Sequence, residues 1–318
     1  YFNSRTDDLL TYQSLSYVSG LEKNWCNGGS LKNSGFDVSA LAKVVTSKDF
    51  SWELGGSIGH YKNEIVSLPE GKKYIDNTVY GATVRTQVGK PANLFYGYRT
   101  AGVFKSTEDA LDAALYIIGA NGIDRKYFSA GDMQFVDKDG NHIINSQDCE
   151  VIGDPNPDFY GNIFTSFAYK RFRLDFNFNY SVGNDVYNYM RQQLESGSRY
   201  MNQTTALNNR WQSEGQVTNM PKATFQDPMG NSRFSDRWIE DGSYLRLKTV
   251  TLSYSLPMDT KFIKGFQFWI QANNLFTWSK YIGSDPEFTM TSGVIGQGID
   301  LGQLPQCRSF LAGVKINL

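Results

Sequence analysis

The stretch that decides the fold is residues 173–181, Arg-Leu-Asp-Phe-Asn-Phe-Asn-Tyr-Ser, in which apolar and polar side chains alternate strictly. Successive side chains of a β-strand point to opposite faces of the sheet. One face of this strand would therefore carry Leu, Phe, Phe and Tyr, and the other would carry Asp, Asn, Asn and Ser. An aromatic face opposite a face of small amides is typical of a wall between lipid and a wet lumen.

Other segments of the chain repeat this alternation. They cover residues 51–58, 249–256, 266–273 and 308–318. In the last of them the apolar face carries Phe310, Ala312, Val314, Ile316 and Leu318, and Leu311 is the one apolar residue on the polar face. Each barrel strand gives a weak signal alone, but together these segments predict an all-β chain that forms part of an antiparallel transmembrane β-barrel.

Composition agrees with a membrane β protein and excludes other classes. The 318 residues carry a net charge of −1, so the chain has no basic footprint for nucleic acid. No apolar run approaches the roughly 20 residues of a membrane helix, whereas a membrane strand needs only about 9–11 residues. The three cysteines, Cys26, Cys149 and Cys307, are too scattered for a disulfide framework or a CxxC metal site. With no GxSxG, P-loop or HExxH motif, we expect no enzymatic activity.

The connections between strands are predicted to alternate between short and long. We place about ten strands at residues 1–12, 34–46, 49–61, 80–88, 93–104, 159–170, 172–183, 243–256, 264–279 and 308–318. The long connections are residues 13–33, 62–79, 105–158, 184–242 and 280–307, and the short ones are 46–49, 89–93, 170–171 and 257–263. Outer-membrane barrels have this asymmetry, with tight periplasmic turns and long extracellular loops. The alternation of apolar and polar residues is weakest at residues 80–104. The alternative there is that these strands only satisfy the expected alternation of short and long connections.

Short helices are predicted inside the long loops. Residues 106–117 have Ser106 or Thr107 as a cap and acidic residues in the first turn. Residues 185–198 and 205–213 are predicted to be short helices as well.

An acidic loop at residues 137–148 is the strongest chemical motif. Calcium takes six to eight oxygen ligands, and 12-residue loops supply them from positions 1, 3, 5, 7, 9 and 12. Those positions hold Asp137, Asp139, Asn141, the carbonyl of Ile143, Asn145 and Asp148. Two features depart from the motif: position 6 is His142 instead of Gly, and position 12 is Asp instead of Glu. The alternatives are one bound Ca²⁺ and a plain turn held by Asx hydrogen bonds.

Aromatic residues in the long loops are candidates for contact with a ligand. They are Tyr200, Trp211, Trp238 and Tyr281. Exposed rings at these positions could stack on sugars or clamp a peptide. The alternative is that the four rings pack the loops onto themselves.

Specific strings resemble those of SusC/RagA-type TonB-dependent outer-membrane transporters. They are Asn273-Asn274-Leu275-Phe276-Thr277-Trp278 with Tyr281-Ile282-Gly283-Ser284-Asp285-Pro286-Glu287, the run from Val151 to Gly161, Phe95-Tyr96-Gly97-Tyr98-Arg99, Asn209-Arg210-Trp211, and the run from Gly302 to Arg308. With Asp7-Asp8-Leu9-Leu10 they extend from about residue 7 to the last residue, in the family's order. The terminal Leu318 departs from the aromatic residue with which barrel proteins often end.

The resemblance implies a fold and a set of partners. In that family a barrel of about 22 strands encloses a plug and is covered by a SusD-like lipoprotein, and a TonB complex opens the plug. We therefore expect residues 1–318 to be the C-terminal part of such a barrel, with the plug and the TonB box outside this chain. A separate segment, the remaining N-terminal barrel and plug, would supply the missing strands. The inward residues are small amides and serines, which suit a wide lumen.

The function implied by the resemblance is nutrient import. The chain would supply barrel wall and extracellular loops to a multi-pass importer of oligosaccharides or peptides in the outer membrane of a Gram-negative, Bacteroidota-like bacterium. The cargo, glycan or peptide, stays open because both kinds of importer would share these strings. The alternative hypothesis is a secreted or surface β domain that binds or cleaves glycans. Dependence on detergent for solubility distinguishes the two.

Overall fold

The structure, a computed structural model, describes residues 1–14, 20, 23–258, 260, 262–288 and 294–317. Its main element is one eight-stranded antiparallel sheet, which we call the wall. The wall strands are β1 (Phe2–Ser14), β2 (Lys23–Thr46), β3 (Phe50–Ser67), β4 (Phe159–Tyr169), β5 (Phe172–Val182), β6 (Tyr244–Pro257), β7 (Gly265–Ser279) and β8 (Ser309–Asn317). They pair in sequence order from β1 to β8, and this linear order leaves β1 and β8 at the two ends of the sheet.

The register of the wall confirms the two-faced pattern seen in the sequence. One row of directly opposed residues crosses seven strands and is apolar: Val45, Trp52, Phe167, Leu174, Leu252, Ile270 and Ala312. The next row faces the other side and is polar over six strands: Lys43, Glu53, Ser166, Asp175, Thr251 and Gln271. The apolar face is open, since Phe310 is 75% exposed and Ile270 is 58% exposed. Leu318 lies outside the described residues.

The wall has eight strands and not the ten expected from the sequence. Residues 80–88 and 93–104 do form strands, at Ala82–Gln87, Leu94–Gly97 and Thr100–Val103, but these belong to small sheets in a long loop. Strand β3 pairs directly with β4, so the short turn predicted at residues 89–93 does not connect wall strands. Ala82, Val84 and Phe95 are buried in protein, so their alternation reports a loop core and not a lipid face.

The ends of the wall differ as predicted, although the loop boundaries move. Residues 47–49, 170–171 and 258–264 connect strands at one end, and residues 68–158, 183–243 and 280–308 connect them at the other. The described part of the expected long loop 13–33 is strand, because β1 and β2 continue past the apolar band. In the expected loop 62–79 only residues 62–67 belong to β3, and Tyr74–Val79 is a strand of a small separate sheet. Beyond that band both faces can be polar, so the sequence alternation fades while strand pairing continues.

The three long connections form what we call the loop cap. Its small strands are Tyr74–Val79, Ala82–Gln87, Leu94–Gly97, Thr100–Val103, Tyr116–Ile118, Arg125–Tyr127, Met133–Phe135, Glu150–Gly153, Asp185–Asn188, Ile239–Asp241 and Ile299–Asp300. Its α-helices are α1 (Thr107–Ala113), capped by Ser106 as predicted, and α2 (Tyr189–Glu195). The helix predicted at residues 205–213 is a 3₁₀ helix at Thr205–Asn209. Among the described residues, no helix has the length and apolar character needed to cross a bilayer.

The hydrophobic core lies in the loop cap instead of under the wall. One cluster joins all three connections and comprises Ala82, Val84, Phe95, Ile152, Tyr187, Phe234, Trp238 and Ile299. A second cluster lies within residues 68–158 and comprises Phe104, Ala110, Leu115, Phe128, Met133, Phe135 and Ile144. The cap is therefore a packed body of its own, held on one end of the wall.

Candidate functional site

The acidic loop at residues 137–148 is folded around its own carboxylates. Asp137 accepts hydrogen bonds from the backbone amides of Gly140 at 2.9 Å and His142 at 2.7 Å. Partial burial raises the pKa of the Asp137 carboxyl, but these amide hydrogen bonds lower it by more, so the pKa lies below its ordinary value. Asp137 is therefore a carboxylate at neutral pH.

Asp148 closes the loop from its other end. It is 2% exposed, and its two oxygens accept hydrogen bonds from the backbone amides of Lys138 at 2.9 Å and Asn145 at 2.8 Å. The Asn141 side chain accepts from the amide of Ile143 at 2.6 Å. Each of these oxygens keeps a further lone pair. The hydrogen bonds thus shape the loop without using up its capacity to bind a cation.

The geometry of the loop is compatible with one cation. Ligand oxygens of Asp137, Asp139 and Asp148 lie within 4.8 Å of one another, close to twice a Ca–O distance of about 2.3–2.6 Å. His142, at the position that usually holds Gly, has a φ of 62° and so adopts the left-handed conformation needed there. The Asx-turn account also fits, because the loop is hydrogen-bonded throughout. Both alternatives therefore stay open on geometry alone.

Two of the four candidate aromatic residues are buried in the cap. Trp238 is 0% exposed and donates a hydrogen bond to the carbonyl of Arg233 at 3.1 Å. The ring of Tyr281 is also buried, and its hydroxyl donates to Asp300. The expectation that these two rings are exposed is wrong, because the loops close over them. Both rings belong to the packing of the cap.

The other two aromatic candidates remain at the surface. Tyr200 is 92% exposed, and its ring lies over Phe225 with 4.8 Å between centroids. Trp211 is half-buried and donates a hydrogen bond to the carbonyl of Lys105 at 3.1 Å. Contact with cargo through Tyr200 and Trp211 remains a prediction.

Comparison with known proteins gives consistent matches over nearly the whole chain. No family model matches. The chain is 30% identical to TonB-dependent receptor P3 of Formosa agariphila over 99% of its own length, and 28% identical to TonB-dependent receptor SusC of Bacteroides thetaiotaomicron, also over 99%. A solved structure of the RagAB peptide transporter superposes with a TM-score of 0.74 at 25% identity, covering 99% of this chain and 32% of the matched one. The chain is therefore similar to TonB-dependent receptors, SusC among them, and to the RagAB transporter over nearly its whole length. It spans about a third of the first of these relatives, covering 32% of its length.

The strings that carry the SusC/RagA resemblance attach the cap to the wall. Asn156 accepts from the Tyr61 hydroxyl at 3.3 Å and from the Asn63 amide at 3.1 Å, both on β3. Its own amide donates to the Ala92 carbonyl at 3.3 Å and to Asp154 at 2.7 Å. One side chain of the run from Val151 to Gly161 thus ties two parts of the cap to a wall strand.

A second attachment is a buried ion pair that sequence reasoning missed. Arg246 of β6 and Asp285 of the Ser-Asp-Pro-Glu string are 2% and 8% exposed, and the arginine donates to the carboxylate. Asp285 also accepts from the amides of Glu287 and Gln306, each at 2.9 Å. The feature of the sequence that could have indicated a buried charge is an arginine between two leucines, at residues 245–247, within a predicted strand.

Proposed function

We propose that this chain supplies barrel wall and extracellular loops to a TonB-dependent outer-membrane importer. The observation that carries the proposal is a wall apolar on one face and polar on the other, with its packed loops gathered at one end. A lipid bilayer would cover the apolar face, the polar face would line the lumen, and the loop cap would lie outside the cell. The named relatives are receptors and a transporter, in line with the expectation of no enzymatic activity.

The rest of the barrel would come from a segment that precedes or accompanies this one. Strands β1 and β8 lie at the ends of an open sheet, and an unpaired strand edge in lipid costs several kcal/mol for each unsatisfied backbone group. The matched relatives are about three times as long as this chain. The additional length would hold the remaining strands, the plug and the segment that engages the TonB complex.

The cargo and the lid are proposed from the similarity to SusC and RagAB. A SusD-like lipoprotein would cover the loop cap, and oligosaccharides or peptides would pass beneath it. The RagAB relative is described as a peptide transporter, which favours peptide as the first cargo to test.

A secreted glycan-binding domain is the competing function, and the wall argues against it. Soluble proteins rarely expose apolar patches beyond a few hundred Å². Here Phe268, Ile270, Phe310 and Val314 are all exposed on the same face of neighbouring strands. Such a surface in water would drive aggregation.

Uptake by the host bacterium tests the proposed function. Deleting the gene should abolish accumulation of some members of a panel of fluorescent peptides and oligosaccharides. The complete receptor should restore uptake, and a receptor lacking its TonB-contacting segment should not. Recovery of the protein as a soluble monomer without detergent, with unchanged uptake in the deletion strain, would contradict the proposal.

We also propose that the acidic loop binds one calcium ion. The ligands would be Asp137, Asp139, Asn141, the Ile143 carbonyl, Asn145 and Asp148. The ion would offset repulsion among three clustered carboxylates and order a connection that the lid is expected to contact. External binding sites of this kind have dissociation constants of about 10⁻⁴–10⁻³ M.

Calcium is expected to protect the loop from proteolysis. With a dissociation constant of about 10⁻⁴ M, 1 mM Ca²⁺ would stabilise the bound form by about 1.4 kcal/mol, a roughly tenfold slower cleavage. Asp139→Asn should remove this protection, since Asp139 is an exposed ligand whose hydrogen bonds all lie within the loop. Asp112→Asn on the exposed side of the cap is the matched control. Equal cleavage rates with Ca²⁺ and with chelator in the wild-type receptor would leave the Asx turn as the account.

A further inference from the structure

A polar cavity of about 490 Å³ lies where the three connections of the loop cap meet. Its volume is within the range of ligand pockets, about 300–1,000 Å³. The charged residues that line the cavity are Arg191, Glu195 and Arg237, and the apolar ones include Met133, Met220 and Ile282. None of the described residues that line it is aromatic. The neighbouring helix α2 and the 3₁₀ helix at Asp236–Trp238 position the two arginines.

Arg191 is paired with two carboxylates of the protein. Its guanidinium donates to Glu195 at 3.1 Å and to Glu240 at 3.0 Å, and it also donates to the carbonyl of Arg237 at 3.0 Å. Glu195 is additionally held by the hydroxyl of Thr204 at 3.2 Å. Glu195, which lines the cavity, and Glu240 are therefore both already engaged by Arg191.

Arg237 has no carboxylate partner within the part of the chain that the structure describes. Its guanidinium lies over the ring of Trp238 at 4.4 Å, and its Nη2 points at the sulfur of Met220. Its Nη1 is buried and has no hydrogen-bond partner among the described residues. Burial, together with the charge of Arg191, lowers the pKa of Arg237 to about 10, so the group is still a cation at neutral pH.

A second buried arginine of the cap differs from Arg237 because its guanidinium has hydrogen-bond acceptors. Arg233, four residues earlier, donates to the carbonyls of Gly230 and Met229 and lies over the rings of Tyr98 and Phe135. A buried cation is costly unless it is paired and hydrogen-bonded. Arg233 also has no carboxylate partner among the described residues, but carbonyl oxygens accept its hydrogen bonds, whereas the Nη1 of Arg237 has no acceptor and Arg237 borders a cavity.

We infer that the cavity binds the carboxylate of a peptide, with Arg237 as the residue that recognises it. A carboxylate would supply both the negative charge and the hydrogen-bond acceptor that the Nη1 of Arg237 lacks among the described residues, so it suits Arg237 better than a neutral group. The side-chain amides of Asn209 and Asn219 also line the cavity and make no hydrogen bond to other described residues, so they can hold peptide groups. The flexible methionines accommodate varied side chains. This inference rests on the proposed import function, for which it names the cargo class.

The test uses the complete receptor in detergent and two small probes. One probe is N-acetylated tetra-alanine with a free C-terminal carboxylate, and the other is the same peptide with a C-terminal amide. The wild-type receptor should bind the free acid about tenfold or more tightly than the amide, as expected for hydrogen bonds to a charged group. Arg237→Gln should bind both probes equally weakly, and Arg199→Gln, an exposed arginine of the same loop, should behave as wild type.

Thermal unfolding separates recognition from a structural role. Arg237→Gln removes a buried charge that has no counter-ion, so its midpoint should stay level or rise. A lower midpoint, or equal affinity of the wild type for acid and amide, would overturn the inference. So would Arg237-dependent binding of an oligogalacturonate with no binding of the peptide. A different result would show that the proposed import function is wrong while the inference holds. In that case the receptor would bind the free acid but would not restore uptake.

Discussion

Substituting Trp238 by alanine is expected to destabilise the loop cap by about 3–5 kcal/mol, the usual cost of removing a large buried aromatic side chain. The indole lies in the cluster that joins all three connections, together with Tyr187 and Ile299 among others. Its loss would leave a cavity and free the carbonyl of Arg233, to which its N–H donates. Urea unfolding followed by tryptophan fluorescence in detergent measures the change.

The matched control is Tyr200→Ala on the surface of the same loop. Because Tyr200 is exposed, we expect its removal to change the free energy of unfolding by less than about 0.5 kcal/mol. If Trp238→Ala instead left stability unchanged and weakened cargo binding, the burial of its ring in the cap would be contradicted.

The wall could be predicted from the sequence because its two solvents differ. Lipid on one face and water on the other force an alternation that Leu174, Phe176 and Phe178 carry without exception. The register shows the same residues opposed by Leu252, Val250 and Leu247 on the next strand. A strand with one side in lipid and the other in water must therefore alternate apolar and polar residues.

The strands of the cap could not be assigned from the same pattern. Ala82, Val84, Leu94 and Phe95 alternate or cluster as wall residues do, yet they are buried in protein. Alternation with a period of two residues indicates that one face of a strand is excluded from water. It does not tell whether lipid or packed protein covers that face. The prediction of ten wall strands was therefore wrong at residues 80–104, whose strands belong to the loop cap.

The grouping of the candidate metal ligands could be predicted because these residues are close in sequence. Asp137, Asp139 and Asp148 lie within one 12-residue loop, so local spacing brought them together as expected. Arg237 and its cavity depend on three connections that are far apart in sequence, and no local pattern marks an unpaired cation. The burial of Trp238 was hidden for the same reason.

Breaking the Arg246–Asp285 pair is expected to have an effect as large as that of Trp238→Ala. Asp285→Ala would leave the Arg246 guanidinium buried with only Glu287, at 3.3 Å, to neutralise it. It would also leave the amides of Glu287 and Gln306 without their acceptor. Removing one partner of a buried pair typically costs about 3–5 kcal/mol. Limited proteolysis should then cut residues 280–308 faster, and urea unfolding should show the lost stability.

The Arg173–Asp175 pair on β5 supplies the control for this prediction. Both of its side chains are more than a third exposed, and exposed pairs contribute about 0–1 kcal/mol, so Asp175→Ala should have little effect. Replacing both members of the buried pair, Arg246→Met with Asp285→Leu, should recover much of the stability lost in Asp285→Ala, because no uncompensated charge remains. If the double variant were no more stable than Asp285→Ala, the cost would lie in the lost amide hydrogen bonds of Glu287 and Gln306. The attachment of the cap to the wall would then depend on Asp285 as a hydrogen-bond acceptor more than as a charge.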